Sequence, residues 1–487
     1  MNESSHAVVI GGSFAGLCAA RVLGDHFADV TVIERDVFSS DPQAHRKGVP
    51  QSRHPHVLLD GGRRELERLF PGFGAECLAR GALDLDPGRE IARLLPEGWA
   101  PARVSPRRLL FASRVLTESV IRDWMSKSHG LQIVEGTDVV GLLADTSAGV
   151  RIRGVRTRAR EGGEIKEIEA DLVVDASGRS TGAPEWLAEL GLAAPAMTVV
   201  DADAGYSTRW YQGPAGTSRP ADWWWKSLFI EPIVEGATRP EDQYMGVLIP
   251  IEQDCWIVTI GSWGGTELAS DPESFERVVA GLRSPILAEA IARAEPISPV
   301  YHRRAMQNSW RHYEKWPPEV AGFIASGDAV CGFNPVYGQG ISSAALCAAV
   351  LRTCLERESA LDASFPRRFF REQAAFLETP WMMATSRDKQ QARIEGDADA
   401  GQPTSRMQQL ARRFGAFYFG QLAAAAGRDA VLGQSLFDVA NLSRTPASLM
   451  RDPRLLVRAL LARLRQKVAQ GSETDSEIPE RPPPPPA

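Results

Sequence analysis

The sequence predicts an α/β chain: a parallel-sheet domain interrupted by an antiparallel α+β domain and followed by a helical C-terminal region. Three observations predict it. His6 to Ile10 is an apolar run bounded by glycines, Phe14 to Leu23 is apolar at helical spacing, and Val30 to Ile33 is a second β-branched run, together a β-α-β unit. The stretch from about Pro184 to Val300 carries strand patterns such as Met245 to Ile249 and Trp256 to Ile260, with most of the tryptophans, as an antiparallel sheet would. Gly322 to Ala325 then returns to a buried strand, and Ile341 to Leu355 is a strong helix.

The remaining elements follow in order. A loop rich in Pro, Gly, His and Arg runs from Ser39 to Pro55, and Leu58 to Phe70 reads as a helix stopped by Pro71-Gly72. Ser113 to Met125 has helical periodicity, while Leu131 to Val134 and Asp138 to Ala144 read as strands. From Val150 to Val174 apolar and polar residues alternate around the turn Glu161-Gly162-Gly163, a hairpin leading into Leu172-Val173-Val174. Phe365 to about Leu464 is mainly helical, with Pro380 and Pro446 as breaks, and Gly471 to Ala487 is a polar, proline-ended tail expected to be disordered. The expected organisation is a discontinuous nucleotide-binding domain (1–75, 100–183 and 301–358), a substrate domain (76–99 and 184–300), a helical region (359–470) and the tail (471–487).

Composition limits the function. A chain of 487 residues exceeds one ordinary core. Its 44% apolar and 24% charged residues are those of a globular protein, and a net charge of -6 argues against nucleic acid as a partner. The six cysteines are scattered without metal-ligand spacing, so no metal site is expected and a reducing, cytoplasmic setting is. No secretory leader and no membrane-spanning run is expected.

The turn Gly11-Gly12-Ser13-Phe14-Ala15-Gly16 follows the first strand and opens a helix. A diphosphate lying against a helix start needs backbone N–H donors at close approach, which glycine permits. Ser13 replaces the second glycine of G-x-G-x-x-G, and its hydroxyl is expected to cap the helix or meet phosphate. Eighteen residues after Gly16, Glu34 ends the next strand, where a carboxylate can accept ribose hydroxyls. The plain alternative is a glycine-rich turn beside a surface acid. Arg35 lies over the adenine or is solvated.

Paired with that unit is Gly327-Asp328, six residues, Pro335, two residues, then Gly338-Gln339-Gly340. This constellation resembles flavoprotein monooxygenases of the para-hydroxybenzoate hydroxylase fold, from about His6 to Leu355. The resemblance implies FAD in a Rossmann-like domain, Asp328 on its ribityl chain, and Pro335, Gly338, Gln339 and Gly340 beside its ring. It implies NAD(P)H as electron donor, directly or through a separate flavin reductase, and O2 as co-substrate. Asp175-Ala176-Ser177-Gly178 is similar to the family's element over the FAD pyrophosphate, with Asp175 and Gly178 as contacts. Ser177 stands where the family carries an acid, which leaves direct NAD(P)H use open. Arg114 matches the family's arginine near the cofactor phosphates; a salt-bridged helix arginine is the equal alternative.

The run Gly48-Val49-Pro50-Gln51-Ser52-Arg53-His54-Pro55-His56-Val57-Leu58 is similar to bacterial polyether polyene epoxidases, themselves related to squalene epoxidase. That implies epoxidation of an apolar polyketide or terpenoid substrate in antibiotic-type secondary metabolism, through a flavin C4a-hydroperoxide, with Arg53 touching the cofactor. No side chain is assigned as catalytic, since the flavin does the chemistry. Trp223, Trp224, Trp225, Trp256, Trp263, Phe229 and Tyr244 either line the substrate cavity or form an ordinary core. The rivals are aromatic hydroxylation, for which the sequence shows no group to deprotonate a phenol, reduction of isoprenoid double bonds, and flavin halogenation. Leu456, Leu460, Leu464 and Val468 mark one face of a basic helix, for which packing on the protein is the main reading and peripheral membrane contact the lesser.

Overall fold

The computed structural model describes residues 5–389 apart from 40, 42–43, 103–104, 148, 215–219, 221, 234–238, 305–306, 317–318 and 358–359, then 393–395, 415–469 apart from 416, 423–424 and 427–428, and 479–485. The fold is α/β, with one domain built on a parallel sheet and a second built on a mainly antiparallel sheet. Among the described residues no helix is long and apolar enough to cross a membrane.

Five parallel strands form the first domain, in the order Phe323–Ala325, Leu172–Asp175, His6–Ile10, Asp29–Ile33 and Leu131–Val134. Ala7, Val8 and Val9 have no exposed surface, as a central parallel strand covered on both faces requires. The helix Phe14–Leu23 lies over this sheet, and the helix Gly340–Arg357 packs against it, joining segments more than 300 residues apart. Asp60–Leu69 packs on the latter helix. Arg114–Met125 is capped by Ser113, whose hydroxyl accepts from Leu116 N–H at 3.1 Å.

The second domain is an eight-stranded sheet running Glu295–Pro296, Gly205–Gln212, Cys255–Ser262, Met245–Pro250, Ser227–Ile230, Ile91–Leu95 and Gly98–Trp99, with Tyr301–Arg303 also on Gly205–Gln212. Ser227–Ile230 pairs with Ile91–Leu95 in parallel, a departure from the antiparallel expectation. It arises because the earlier segment enters the sheet from the other domain rather than by a hairpin. Helices Pro272–Gly281 and Ile286–Ile291 cover one face, and Trp223, Trp225, Tyr244 and Trp256 fill the core there. Phe229 packs in the cluster around Ile249 and Phe111.

A four-stranded sheet links the parts: Cys331–Gly332, Asn308–Arg311, Met197–Asp201 and Arg393–Glu395. The last of these strands follows the helix Ser364–Asp388, which runs through Pro380 instead of breaking there. Proline removes one N–H donor, and burial of Leu377, Trp381 and Ala384 along that turn outweighs the loss. In Pro453–Ala469 the buried face is Leu455 and Ala459, while Leu460 is 40% exposed, so the expected apolar face is rotated. Leu464 and Val468 have side chains outside the described residues.

Of the tail, residues 479–485 are described and lie on the second domain rather than free of it. Trp99 Nε1 donates to Pro479 O at 2.7 Å, Ser284 Oγ to Glu480 O at 2.6 Å, and Arg481 pairs with both carboxylate oxygens of Glu289 at 2.9 Å. Composition argues against a core there, but not against polar docking onto a surface already formed.

Candidate functional site

The Gly11–Gly16 turn is built by close approach. Gly11 N–H donates to Ile33 O at 2.8 Å, with φ at +104°, and a side chain on Gly11 would put Cβ 2.6 Å from Ala176 O. At Gly16 a Cβ would lie 1.8 Å from Gly11 O. Both positions therefore exclude any larger residue. Ser13 does not cap its helix. Its hydroxyl donates to Glu118 at 3.2 Å and accepts from Arg114 at 2.8 Å.

Glu34 is 5% exposed and already engaged, accepting from Gly12 N–H at 2.7 Å and Asp36 N–H at 2.9 Å, with Arg46 at 3.3 Å. It is not the open ribose acceptor expected from sequence, because the Arg46 side chain closes over it. Arg46 also contacts Glu118, on which Arg114 and Arg122 converge at 3.5 and 3.2 Å. One buried carboxylate thus gathers three guanidinium groups beside the phosphate turn.

A single cavity of about 320 Å³ begins at this turn. It is lined in sequence order by Ser13, Phe14 and Ala15, by Arg35, by the loop from Gly48 to His56, and by Arg114. Gly178, Arg179, Asp328, Pro335, Gly338, Gln339 and Gly340 complete that lining from the first domain. Tyr206 and Arg303, direct cross-strand partners, enter from the second domain's sheet. Segments separated by the whole length of the domain meet on this one space.

Two expected contacts lie elsewhere. Asp175 is fully buried beneath the cavity floor, taking Ser177 N–H at 3.0 Å, Ser177 Oγ at 2.6 Å and Thr181 Oγ1 at 2.5 Å. Burial pushes its carboxyl up and these donors pull it back, so it shapes the turn rather than meeting a ligand. Arg53 is exposed and stacks its guanidinium 5.0 Å from the Tyr301 ring centroid, toward the second domain. The aromatic residues offered as cavity lining, from Trp223 to Trp263, are packed in core clusters away from it.

The loop histidines are fixed and uncharged. His56 Nε2 lies 3.1 Å from Arg114, which can only donate, so Nε2 accepts and Nδ1 donates to His54 O at 2.9 Å. Burial, then the positive charge of Arg114, hold His56 well below the usual range. His54 Nδ1 meets Thr208 Oγ1 at 2.9 Å, and burial with Arg303 and Arg53 pushes it down to about 3. Its ring stands edge-on to Tyr206 at 4.3 Å. Burial pushes the Tyr206 hydroxyl up to about 12, and that hydroxyl has no hydrogen-bond partner among the described residues.

The residues fit FAD. Ser13, Phe14 and Ala15 at the helix start line the cavity, where backbone N–H groups suit a diphosphate, and Arg114, 2.8 Å from the Ser13 hydroxyl, and Arg35 line the same cavity. Asp328, 3.4 Å from Arg179 and with a side chain 42% exposed, lines the same cavity. Gly338 takes φ +64°, the helix Gly340–Arg357 begins with N–H groups that lack intrahelical acceptors, and Gln339 Oε1 is buried without a hydrogen-bond partner among the described residues. Arg46, Glu118, Tyr206 and Arg303 were not found from sequence. Nothing local marks them, since each is placed by partners in other elements.

No protein-family model matches the chain. The flavin-dependent brominase Bmp2 superposes with a TM-score of 0.61 at 16% identity, over 95% of this chain and 100% of its own. A flavoprotein/dehydrogenase from Cytophaga hutchinsonii gives 0.63 at 13% identity, over 95% and 99%. PqsL, a probable FAD-dependent monooxygenase from Pseudomonas aeruginosa, gives 0.56 at 16%, over 80% and 98%. These similarities establish the fold. In sequence, Protein Rv3254 of Mycobacterium tuberculosis (strain ATCC 25618 / H37Rv) is 33% identical over 394 residues, 78% of this chain and 80% of that protein. The chain belongs to the family of Protein Rv3254, on the flavoprotein fold of the para-hydroxybenzoate hydroxylase type.

Proposed function

We propose that the protein is an FAD-dependent monooxygenase that epoxidises one or more carbon–carbon double bonds of an apolar polyketide or terpenoid substrate. One observation carries the flavin reading: the same cavity is lined by Ser13–Ala15 of the phosphate turn, by Arg114 and Asp328, and by Pro335 and Gly338–Gly340. When bound, FAD reduced by NAD(P)H or by a partner flavin reductase supplies oxygen activated from O2. Ser13–Ala15, in the turn that Gly11 and Gly16 permit, would present backbone N–H groups to the diphosphate, and Arg114 and Arg35 would offset its charge. Asp328 would accept from the ribityl hydroxyls. The N–H groups at the start of Gly340–Arg357 would face the electron-rich edge of the ring.

Two features support oxygen transfer to an alkene. Val49, Pro50, Pro55, Phe333 and Ile341 give part of the cavity wall an apolar surface suited to a hydrocarbon. His54 and His56 are held neutral far below their ordinary range, so the walls are not arranged around a strong base, and electrophilic oxygen transfer to an alkene needs none. The fold's neighbours, named as a monooxygenase and a brominase, fit this class of chemistry. A second reading, hydroxylation of a phenolic ring, is favoured by one observation: the unpartnered Tyr206 hydroxyl stands beside Arg303 at the cavity wall.

Incubation with ¹⁸O₂, NADPH, a flavin reductase and a linear polyene, followed by mass spectrometry, tests the proposal. Epoxidation predicts one labelled oxygen for each double bond converted. Label appearing only in a phenol when a phenolic probe is supplied selects the second reading. Conversion of the double bond without label, or equally well without oxygen, contradicts both.

A further inference from the structure

Asp388 is the last residue of the helix Ser364–Asp388 and is 1% exposed. An acid there faces the negative end of the helix dipole, an unfavourable position unless other groups hold it. Four do. Oδ1 accepts from the Tyr337 hydroxyl at 2.5 Å and from Trp263 Nε1 at 3.1 Å. Oδ2 accepts from Asn308 Nδ2 at 2.7 Å and from Asn334 Nδ2 at 3.2 Å. A carboxylate is an acceptor with about four lone-pair directions, and four neutral donors fill them.

The network continues into the backbone. Asn334 N–H donates to Asn308 Oδ1 at 2.7 Å, and Val336 N–H donates to Asn334 Oδ1 at 3.2 Å. Asn308 and Asn334 have no exposed surface. Trp263 follows a strand of the second domain and Asn308 opens a strand of the linking sheet, while Asn334 and Tyr337 bracket the turn that leads into Gly338. One carboxylate from the C-terminal region therefore ties the segment 334–337 to two other parts of the fold.

We propose that Asp388 is the positioning residue for the ring end of the cavity, an inference that rests on the flavin reading above. Asp388 does not line the cavity. It acts through Asn334 and Tyr337, which set where Pro335 and the N–H groups after Gly338 stand. Asp388→Asn replaces an acceptor with an amide whose N–H₂ faces donors, so the turn is released without loss of volume.

The test uses the full FAD-loaded chain. Asp388→Asn is expected to shift the position and fine structure of the bound-flavin visible bands and to change the two-electron reduction potential, since the turn carrying Pro335 and Gly338 is released from its place. ADP, which reports on the diphosphate end alone, is expected to bind the flavin-free variant within about twofold of the wild type. Tyr337→Phe removes one hydroxyl and should give a smaller shift in the same direction, with the double variant less than additive. If Asp388→Asn fails to fold, Tyr337→Phe decides alone. Unchanged spectrum and potential in folded variants, or equal loss of ADP and FAD affinity, overturns the proposal. Failure of the wild-type chain to bind FAD overturns the flavin reading itself.

Discussion

His54 shows how a single side chain reports on its surroundings. Burial first, then Arg303 and Arg53, push it down to about 3 from an ordinary 6.5, and Thr208 fixes its Nδ1 at 2.9 Å. Between those two values the unfolded chain binds the more protons, so stability falls as pH drops through 6.5 and levels off near 3; above 6.5 the effect vanishes. At pH 5 the loss amounts to about 2 kcal/mol. His54→Gln keeps a hydrogen-bonding side chain that does not titrate, and urea unfolding at pH 7 and pH 5 should show that much less pH dependence in the variant. An unaltered dependence would mean that His54 is charged in the folded protein. His56, buried with the same sign, keeps part of the slope in both chains. Gly11, Gly16 and Asp328 were legible in the sequence because their chemistry lies in the spacing itself. Arg46 and Asp388 were not, because their partners lie 72 residues away at Glu118 and 125 away at Trp263.

The loop after the second strand is the element on which the cavity most depends. It supplies the wall from Gly48 to His56, yet its regular structure is one short turn, Pro50–Arg53. Arg46 anchors it: the guanidinium is 8% exposed, reaches Glu34, Asp36 and Glu118, and stacks 4.9 Å from the Phe38 ring. Removing one member of a buried charge cluster leaves the others uncompensated, so Arg46→Ala is expected to cost about 3 kcal/mol. Hydrogen exchange should then rise across residues 44–58 while the strand His6–Ile10 stays protected. Uniform loosening of both, or of neither, would show that the loop is held by something else. Periodicity located the first helix, Phe14–Leu23, at its observed bounds, and the first strand likewise. It failed at Pro380, where tertiary burial carries a helix through a residue that locally opposes it.

At the scale of the molecule, the cavity exists because distant pieces converge. The helix Gly340–Arg357 packs on Phe14–Leu23, which sets the Gly338–Gly340 end over the same sheet edge as the phosphate turn. The second domain closes the space with the Gly205–Gln212 and Tyr301–Arg303 strands, and the helix ending at Asp388 braces the turn between them. The β-α-β opening and the late glycine-rich helix start made this convergence readable. The course of the tail was not readable, because docking through Trp99, Ser284 and Arg481 depends on a surface that only the folded second domain provides. On the flavin reading, one site takes a whole FAD molecule. Titration of the flavin-free full-length chain with FAD, followed by flavin absorbance and fluorescence, tests it most directly. One equivalent of FAD is expected to bind, with FMN and riboflavin much weaker and ADP competing for the same site. No binding of FAD, or binding of FMN as tight as that of FAD, would contradict it.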